Sequence, residues 1–494
     1  MKTKQKPNIT ALVFFAALVL KYIILGFRYY PILDDFIQYG GYPLYNDLKY
    51  VYLGIGTISA RPFATLLDPV LWGSMWQSMW LALVIITVLH FAAVYLLSDT
   101  LERLGYKLSP IFWLIMLFLP IGAEGAYWIS ASSRIIMGLF FAALSFYFLA
   151  RALSENKKNL YILFIVTHFL SYGFYEPVAV LSATGVFLIV LKNKEQIKTK
   201  WWILSIPVLC MLSLLTYNLL AADIGAIGSR ASGFSFSGIF GKIKDALYQL
   251  ARIFTKGLYK STLLGFFDGA KVVAKKGVLG GVWIILAAVL SVLLAKTGAK
   301  DKETKPKREL FFCGLVLFAA PLAPNLLVST VWLPYRAVFI SFLGLALMAE
   351  PLFKLIFRKN NIAGIACGLI LFVFLFANVN EYDTYKRVSE YDTCVAQNIS
   401  EQLDSEVMSG KKNAVLILES GADIYQVDFY KDHVKSVLEA DWSLTGAVRA
   451  VTKNMKIKKI IPVLSGYEEI TNEQVLFMDA DGHITDITNE YKER

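Results

Sequence analysis

The sequence predicts an all-α polytopic membrane protein of about eleven transmembrane helices, followed by a small extracytoplasmic α/β domain at the C-terminus. Three observations carry that expectation. Hydrophobic residues make up 56% of the 494 and charged residues only 18%, and the mean hydropathy is +0.53, far from the composition of a soluble domain. Apolar runs of the roughly 20 residues that a bilayer helix requires recur along the first 380 positions. From Glu381 onward the chemistry reverses, with 21 acidic against 13 basic side chains. Of the chain's net +11, residues 1–380 hold +19 and residues 381–494 hold −8. A soluble enzyme, a secreted disulfide scaffold and a disordered chain are excluded on these grounds.

The first apolar run follows three lysines, is too long for a signal-peptide core and lacks a small-residue cleavage site, so it reads as an uncleaved span. Spans are predicted over 8–29, 76–98, 109–122, 134–152, 159–174, 176–191, 201–222, 278–296, 309–329, 334–353 and 362–379. Lys and Arg gather at the N-terminus and around Arg103, Lys157, Lys194, Lys305 and Arg358. The positive-inside rule then places the N-terminus in the cytoplasm and the C-terminal domain outside. Tyr175-Glu176-Pro177 splits the run Tyr161–Leu191 into a hairpin with Glu176 at the outer surface, where a carboxylate costs less than at midplane.

Two large external loops result, about 30–75 and about 223–277. The second opens Gly/Ser-rich and carries nine Lys/Arg. Its Ile239, Ile243, Leu247, Leu250 and Ile253 recur at helical spacing beside Lys242, Lys244, Arg252 and Lys256, the pattern of a basic amphipathic helix at the headgroups. Such a helix either anchors the loop to anionic lipid or contacts a lipid-phosphate substrate. In the tail, Ala414–Leu418 and Lys459–Leu464 read as buried strands, Gln426–Leu438 as a helix, and Val475–Ile487 as a hairpin turning at Asp481-Gly482. Asp479-Ala480-Asp481-Gly482 has the opening of a calcium loop but not its distal Glu, and reads as a turn. Cys210, Cys313, Cys367 and Cys394 form neither a disulfide framework nor a zinc spacing.

Ionisable residues at the outer ends of the spans are the candidates for chemistry. Asp34 and Asp35, just past the first span, cannot both be comfortably ionised beside lipid unless one is paired or raised in pKa, and a base poised near neutral pH follows. The structural alternative is a helix cap or an ion pair with Arg28. Arg61, Glu124, Arg134, Glu176 and Arg336 stand on the same predicted side, with Tyr127, Trp128, Tyr175 and Tyr335 as neighbours. Carboxylates can receive a proton from a hydroxyl, and guanidiniums can bind a phosphate bidentately. Taken singly, each is also what an interfacial anchor looks like. His90 and His168, inside spans, read as helix–helix hydrogen bonds. Lys21 either snorkels outward or meets a lipid phosphate from below.

The uncleaved first span, Asp34-Asp35 in the first large external loop, Arg61-Pro62, Glu124 followed by Tyr127 and Trp128, and the Tyr-Glu-Pro bend together resemble the GT-C membrane glycosyltransferases. Within them the chain is most similar to the bacterial glucosyltransferases that decorate O-antigen and related cell-surface polysaccharides. The resemblance covers about residues 8–200 by motif and the later spans by architecture. It implies a GT-C-like domain over 1–380 and a hexose donor, glucose, carried on a polyprenyl phosphate. Attack by a polysaccharide or glycolipid hydroxyl at the outer face of the bacterial cytoplasmic membrane would then invert the anomeric carbon. It also implies Asp34 or Asp35 as base with Glu124 as helper, and Arg61, Arg134 and Arg336 at the donor phosphate. Tyr30, Tyr39, Tyr127, Trp128, Tyr175, Glu176 and Tyr335 would meet sugar or acceptor. A monophosphate leaving group needs cations but no nucleotide loop; no cofactor is expected, a divalent cation is not required, and neither nucleic acid nor any particular protein partner is implied. The rival readings are a lipid or glycan transporter or flippase, which would place its charges near midplane in repeated halves, and a non-enzymatic scaffold, which would not need Asp34-Asp35.

Overall fold

Helices stand at all eleven predicted places in the computed structural model, which describes residues 9–40, 61–197, 200–223, 238–298, 308–328, 330–419, 434–463 and 473–492. Among the described residues, six helical runs are long and apolar enough to cross a bilayer: Pro62–Arg103, Ile129–Glu155, Trp201–Leu220, Val278–Thr297, Arg308–Leu327 and Asn360–Gln402. The other five places hold shorter helices, Ile9–Ile23, Pro110–Phe118, Lys158–Tyr172, Glu176–Lys192 and Phe342–Ile356. At about 1.5 Å per residue, the nine residues of Pro110–Phe118 reach about half of a bilayer core, and all nine are buried in protein. The predicted span 109–122 is therefore an internal half-helix, started by Pro110 in the first turn, where a missing N–H costs nothing.

Packing explains why the helices fit. Gly314 and Gly344 face each other so closely that a Cβ on Gly344 would lie 2.2 Å from the Phe318 nitrogen, the small-residue contact that lets membrane helices approach. His168 meets Ser182 Oγ at 3.0 Å and Ser145 Oγ at 3.5 Å, tying three helices together as expected. Lys21 departs from both readings. It is buried, its Nζ donates to the Leu117 carbonyl at 3.4 Å, and the rings of Tyr22, Phe118 and Tyr382 surround it. The bend at Tyr175 is present: one helix ends at Tyr172 and the next begins at Glu176.

The last helix, Asn360–Gln402, passes through residue 380 without a break. Its first half packs in the membrane body, and its second half lends Val395, Ala396 and Ile399 to a separate core. That core belongs to a four-stranded sheet ordered β2-β1-β3-β4, with β1 Ala414–Leu418, β2 Ile460–Val463, β3 Gln474–Met478 and β4 Ile484–Asp486. The first three are parallel neighbours and β4 returns antiparallel. The continuously apolar β1 suits a strand covered on both faces. Gly482, at φ +85, makes the turn before β4, and Asp479 Oδ1 accepts the N–H groups of Asp481 and His483. The expected helix Gln426–Leu438 lies largely outside the described residues; Val437–Glu439 is a 3-10 turn. The amphipathic helix is present as Ile239–Arg252 and continues through two π-helical stretches into Gly265–Ala274.

Candidate active site

Asp34 and Asp35 open a short helix, Asp34–Gln38, and point to different surroundings. The Asp35 carboxylate has no solvent exposure. Its Oδ2 accepts from the Tyr29 hydroxyl at 2.5 Å and the Ile32 N–H at 3.1 Å, and its Oδ1 from the Ser130 hydroxyl at 2.5 Å and the Ser130 N–H at 3.1 Å. Tyr29 Oη in turn accepts the Ile129 N–H at 2.8 Å. Ile129 and Ser130 begin the helix Ile129–Glu155, so Asp35 and Tyr29 satisfy N–H groups that have no partner within that helix. Burial pushes the Asp35 carboxyl up to about 7, against four donors that hold it down. Asp34, by contrast, is half-buried and lies within electrostatic reach of Arg336.

Glu124 and Arg336 meet from 212 residues apart. Gly122 and Gly125 make this possible. A Cβ on Gly125 would sit 2.5 Å from the Phe339 ring, and one on Gly122 2.8 Å from the Phe342 ring, so the short helix Ala123–Ala126 lies directly on Tyr335–Phe339. The Arg336 N–H then reaches Glu124 Oε2 at 3.0 Å while its guanidinium Nη1 bonds Glu124 Oε1. The guanidinium also lies over the rings of Trp128 and Trp332, at 5.2 and 4.7 Å from their centroids. Gln249, on the amphipathic helix, holds the irregular segment leading into Arg336: its Nε2 donates to the Val331 carbonyl at 2.9 Å, and its Oε1 accepts the Leu333 N–H at 2.8 Å.

Arg61 pairs with Glu176, its Nε at 3.1 Å from both carboxylate oxygens and its Nη2 at 3.0 Å from Oε2, and stacks over Tyr175 at 4.7 Å. The backbone brings them together, because the N–H groups of Phe63 and Ala64 both donate to the Gly173 carbonyl at the helix bend. Tyr175 sits in the combined field of Arg61, Glu176, Arg336 and Glu124, which places these two pairs beside each other. Arg134 donates to the fully buried Asp68 at 2.8 Å, and Tyr39 meets Ser133 at 3.1 Å in the same neighbourhood.

The structure thus gathers Asp34, Asp35, Arg61, Glu124, Arg134, Glu176 and Arg336 at one end of the bundle. Four expected sugar contacts are buried: Tyr39 against Ser133 and Trp128 beneath Arg336, as described, and Tyr127 and Tyr335 in packing. Tyr127 is buried among Tyr22, Tyr29, Tyr382 and Tyr385, and the Tyr335 hydroxyl lies against Gly257 and Ser261. Sequence reasoning missed Asp68, Ser130 and Gln249. Asp68-Pro69 stood in the first-loop stretch and Ser130 opened a Ser-rich helix start, but nothing local marks the residue either one meets. No group of three His, Cys, Asp or Glu that could hold a metal occurs among the described residues. An apolar cavity of about 480 Å³ lies between the helices but is lined by Leu97, Phe146, Leu188, Lys192, Glu309 and Leu347 among others. Lys192 is about 24 Å along its helix from Glu176, so this cavity is at the opposite end.

A sequence model described as glucosyl transferase GtrII matches residues 44–349. The chain belongs to the GtrII glucosyl transferase family. The resemblance to bacterial glucosyltransferases read from the sequence agrees with it, and the chain is a membrane glycosyltransferase. The matched region includes Arg61, Asp68, Glu124, Arg134, Glu176, Gln249 and Arg336, whereas Asp34, Asp35 and the C-terminal domain lie outside it. Among solved structures, ArnT from Cupriavidus metallidurans bound to undecaprenyl phosphate is similar at 12% identity and a TM-score of 0.42, over 96% of this chain and 94% of that one. No curated protein gives a significant match.

Proposed function

We propose that this GtrII-family chain has the GT-C mechanism and transfers glucose from a polyprenyl-phosphate donor to a cell-surface polysaccharide or glycolipid at the outer face of the bacterial cytoplasmic membrane. The N-terminus lies inside and the C-terminal domain outside, the anomeric carbon is inverted, and no metal is required. The observation that carries this reading is the approach of half-buried Asp34 to Arg336, whose guanidinium Glu124 holds from 212 residues away. Asp35 has both oxygens committed to structure, and Asp34, half-buried and in the field of Arg336, is assigned as the carboxylate that meets the acceptor hydroxyl. Asp34 takes the hydroxyl proton as the oxygen bonds to the anomeric carbon and the glycosidic C–O bond to phosphate breaks.

The departing polyprenyl monophosphate carries its negative charge to the arginines. Glu124 aligns Arg336 through one guanidinium nitrogen, and a guanidinium has five N–H donors in a fixed fork, so an oxyanion can be bound without a metal. Arg61, with Glu176, and Arg134, with Asp68, extend the positive field. The exposed ring of Trp332 and that of Tyr175 provide flat surfaces for sugar.

The test is transfer of labelled glucose from polyprenyl-phosphate glucose in proteoliposomes. Asp34→Asn should lower kcat by about 10²–10⁴, the range for a lost general base, with the protein still folded. Undiminished turnover would remove Asp34 from the chemistry. Lipid passage across the vesicle without any glycosyl product would establish the flippase reading in its place.

A further inference from the structure

The helix Asp34–Gln38 is too short to hold itself, because an isolated helix needs about 12–15 residues even to be marginal. The residue before it makes matters worse: Leu33 has φ 42, in the left-handed region that a branched side chain occupies only when its surroundings force it. Those surroundings come from the far end of the chain. Phe36 is buried within the core of the C-terminal domain, together with Ala396, Leu416, Leu444 and Ala447, and its ring meets the edge of Trp76 at 6.0 Å. Gly446, in the helix Asp441–Thr452, lies flush on the next residue. A Cβ there would stand 3.0 Å from the Ile37 nitrogen and 3.2 Å from its Cα, and a Cβ on Gly40 would stand 3.2 Å from that of Ala450. The domain is itself pinned to the last helix, where buried Asp392 accepts the Ser436 hydroxyl at 2.6 Å and the Val437 N–H at 3.2 Å.

We propose that the C-terminal domain is a buttress for the aspartate helix, with Phe36 and Gly446 as positioning residues that fix where Asp34 stands for glycosyl transfer. The catalytic part of this rests on the function proposed above; the mechanical part does not. Phe36 anchors the middle of the helix in a core that the membrane body does not own. Gly446 lets a second helix lie directly against its backbone. Together they hold a strained entry turn in one conformation.

The experiment is hydrogen exchange read by mass spectrometry on the full-length protein in lipid nanodiscs, alongside transfer kinetics. In Phe36→Ala, amides of residues 34–40 should exchange at least about tenfold faster, equivalent to about 1.4 kcal/mol of local opening, while those of Gln474–Met478 stay protected. Gly446→Val should act in the same direction, and Gly446→Ala, which forces a shift of only tenths of an ångström, more weakly. Phe36→Ala should lower kcat with little change in donor KM, and Phe36→Leu should restore most of it. Unchanged exchange at 34–40 in Phe36→Ala and both Gly446 variants overturns the buttress. Faster exchange with kcat held within about twofold, a free-energy change below about 0.5 kcal/mol, overturns the positioning role. Should wild type itself transfer no sugar while exchange responds as described, the functional reading fails and the buttress stands.

Discussion

Ion pairs at the two ends of the helical bundle are built differently. At the aspartate end, the carboxylates of Glu124 and Asp68 have no exposure and meet Arg336 and Arg134 from 212 and 66 residues away. At the opposite end, Arg103 pairs with Asp99 at 2.7 Å and Arg151 with Glu155 at 2.6 Å, each one turn along its own helix and open to solvent; buried Glu350 also pairs within its own helix, with Lys354, and the longer-range pair Lys192–Glu309 is exposed. Local exposed pairs contribute little and need no fold to form. Buried long-range pairs exist only because the fold is complete, and their desolvation makes them poor stabilisers but strong organisers. The difference teaches where to look for function: a helix bundle has no structural need for the second kind of pair, and here several gather beside a partly exposed aspartate.

The largest effect should come from orphaning a buried charge. Glu124→Ala leaves Arg336 without its carboxylate and should cost about 3–5 kcal/mol, seen as a lowered Tm of the detergent-purified protein, together with loss of transfer. A double variant that also replaces Arg336 with Met should regain much of the Tm without regaining activity. Wild-type Tm in Glu124→Ala would erase the contrast between the two ends.

Next comes the pH response of Asp35. Its folded pKa, about 7 through burial, exceeds the unfolded value of about 3.9. The folded state therefore holds the proton more tightly, and this contribution is fully present below about pH 4 and lost as pH rises through about 7. Tm should fall between pH 5 and pH 8, and Asp35→Asn should flatten that part of the profile. A variant profile parallel to wild type would refute the assignment.

Smaller again is Gln249→Ala, which removes two backbone hydrogen bonds worth about 0.5–1.5 kcal/mol each. Donor KM should rise because the segment leading into Arg336 loosens; a purely catalytic defect with unaltered KM would contradict this. At the bottom of the scale, Arg151→Ala should change stability by no more than about 0.5 kcal/mol, and a large loss there would show that the opposite end is organised like the first.

Much of this architecture was legible. Apolar run length marked a helix at each of the eleven predicted places but not the tail helix Asp441–Thr452, the bend at Glu176-Pro177 followed from proline chemistry, and β1 was read to the residue. That the charged residues gather at one end of the bundle could also be read, because their positions at helix ends alternate along the chain. What each charge meets could not. Arg134 gives no sign that Asp68 is its partner, since that contact depends on a helix crossing rather than a spacing. Asp34 and Asp35 are chemically identical in sequence, and only the approach of Tyr29 and Ser130 separates them. The half-helix Pro110–Phe118 was read as a full span because hydropathy cannot tell burial in protein from burial in lipid. Gln249 was passed over as a polar residue on an amphipathic face, its amide task invisible without the segment it grips.

The final helix has one more consequence. Its 43 residues rise about 64 Å, more than twice the bilayer's hydrocarbon thickness of about 30 Å, and no glycine or proline interrupts it after Gly368. The sheet therefore stands on a mast whose height and bearing are counted out in residues. Deleting a single position between Glu381 and Arg387 would lower the sheet by about 1.5 Å and swing it through about 100°, carrying Gly446 away from Ile37 without touching either residue.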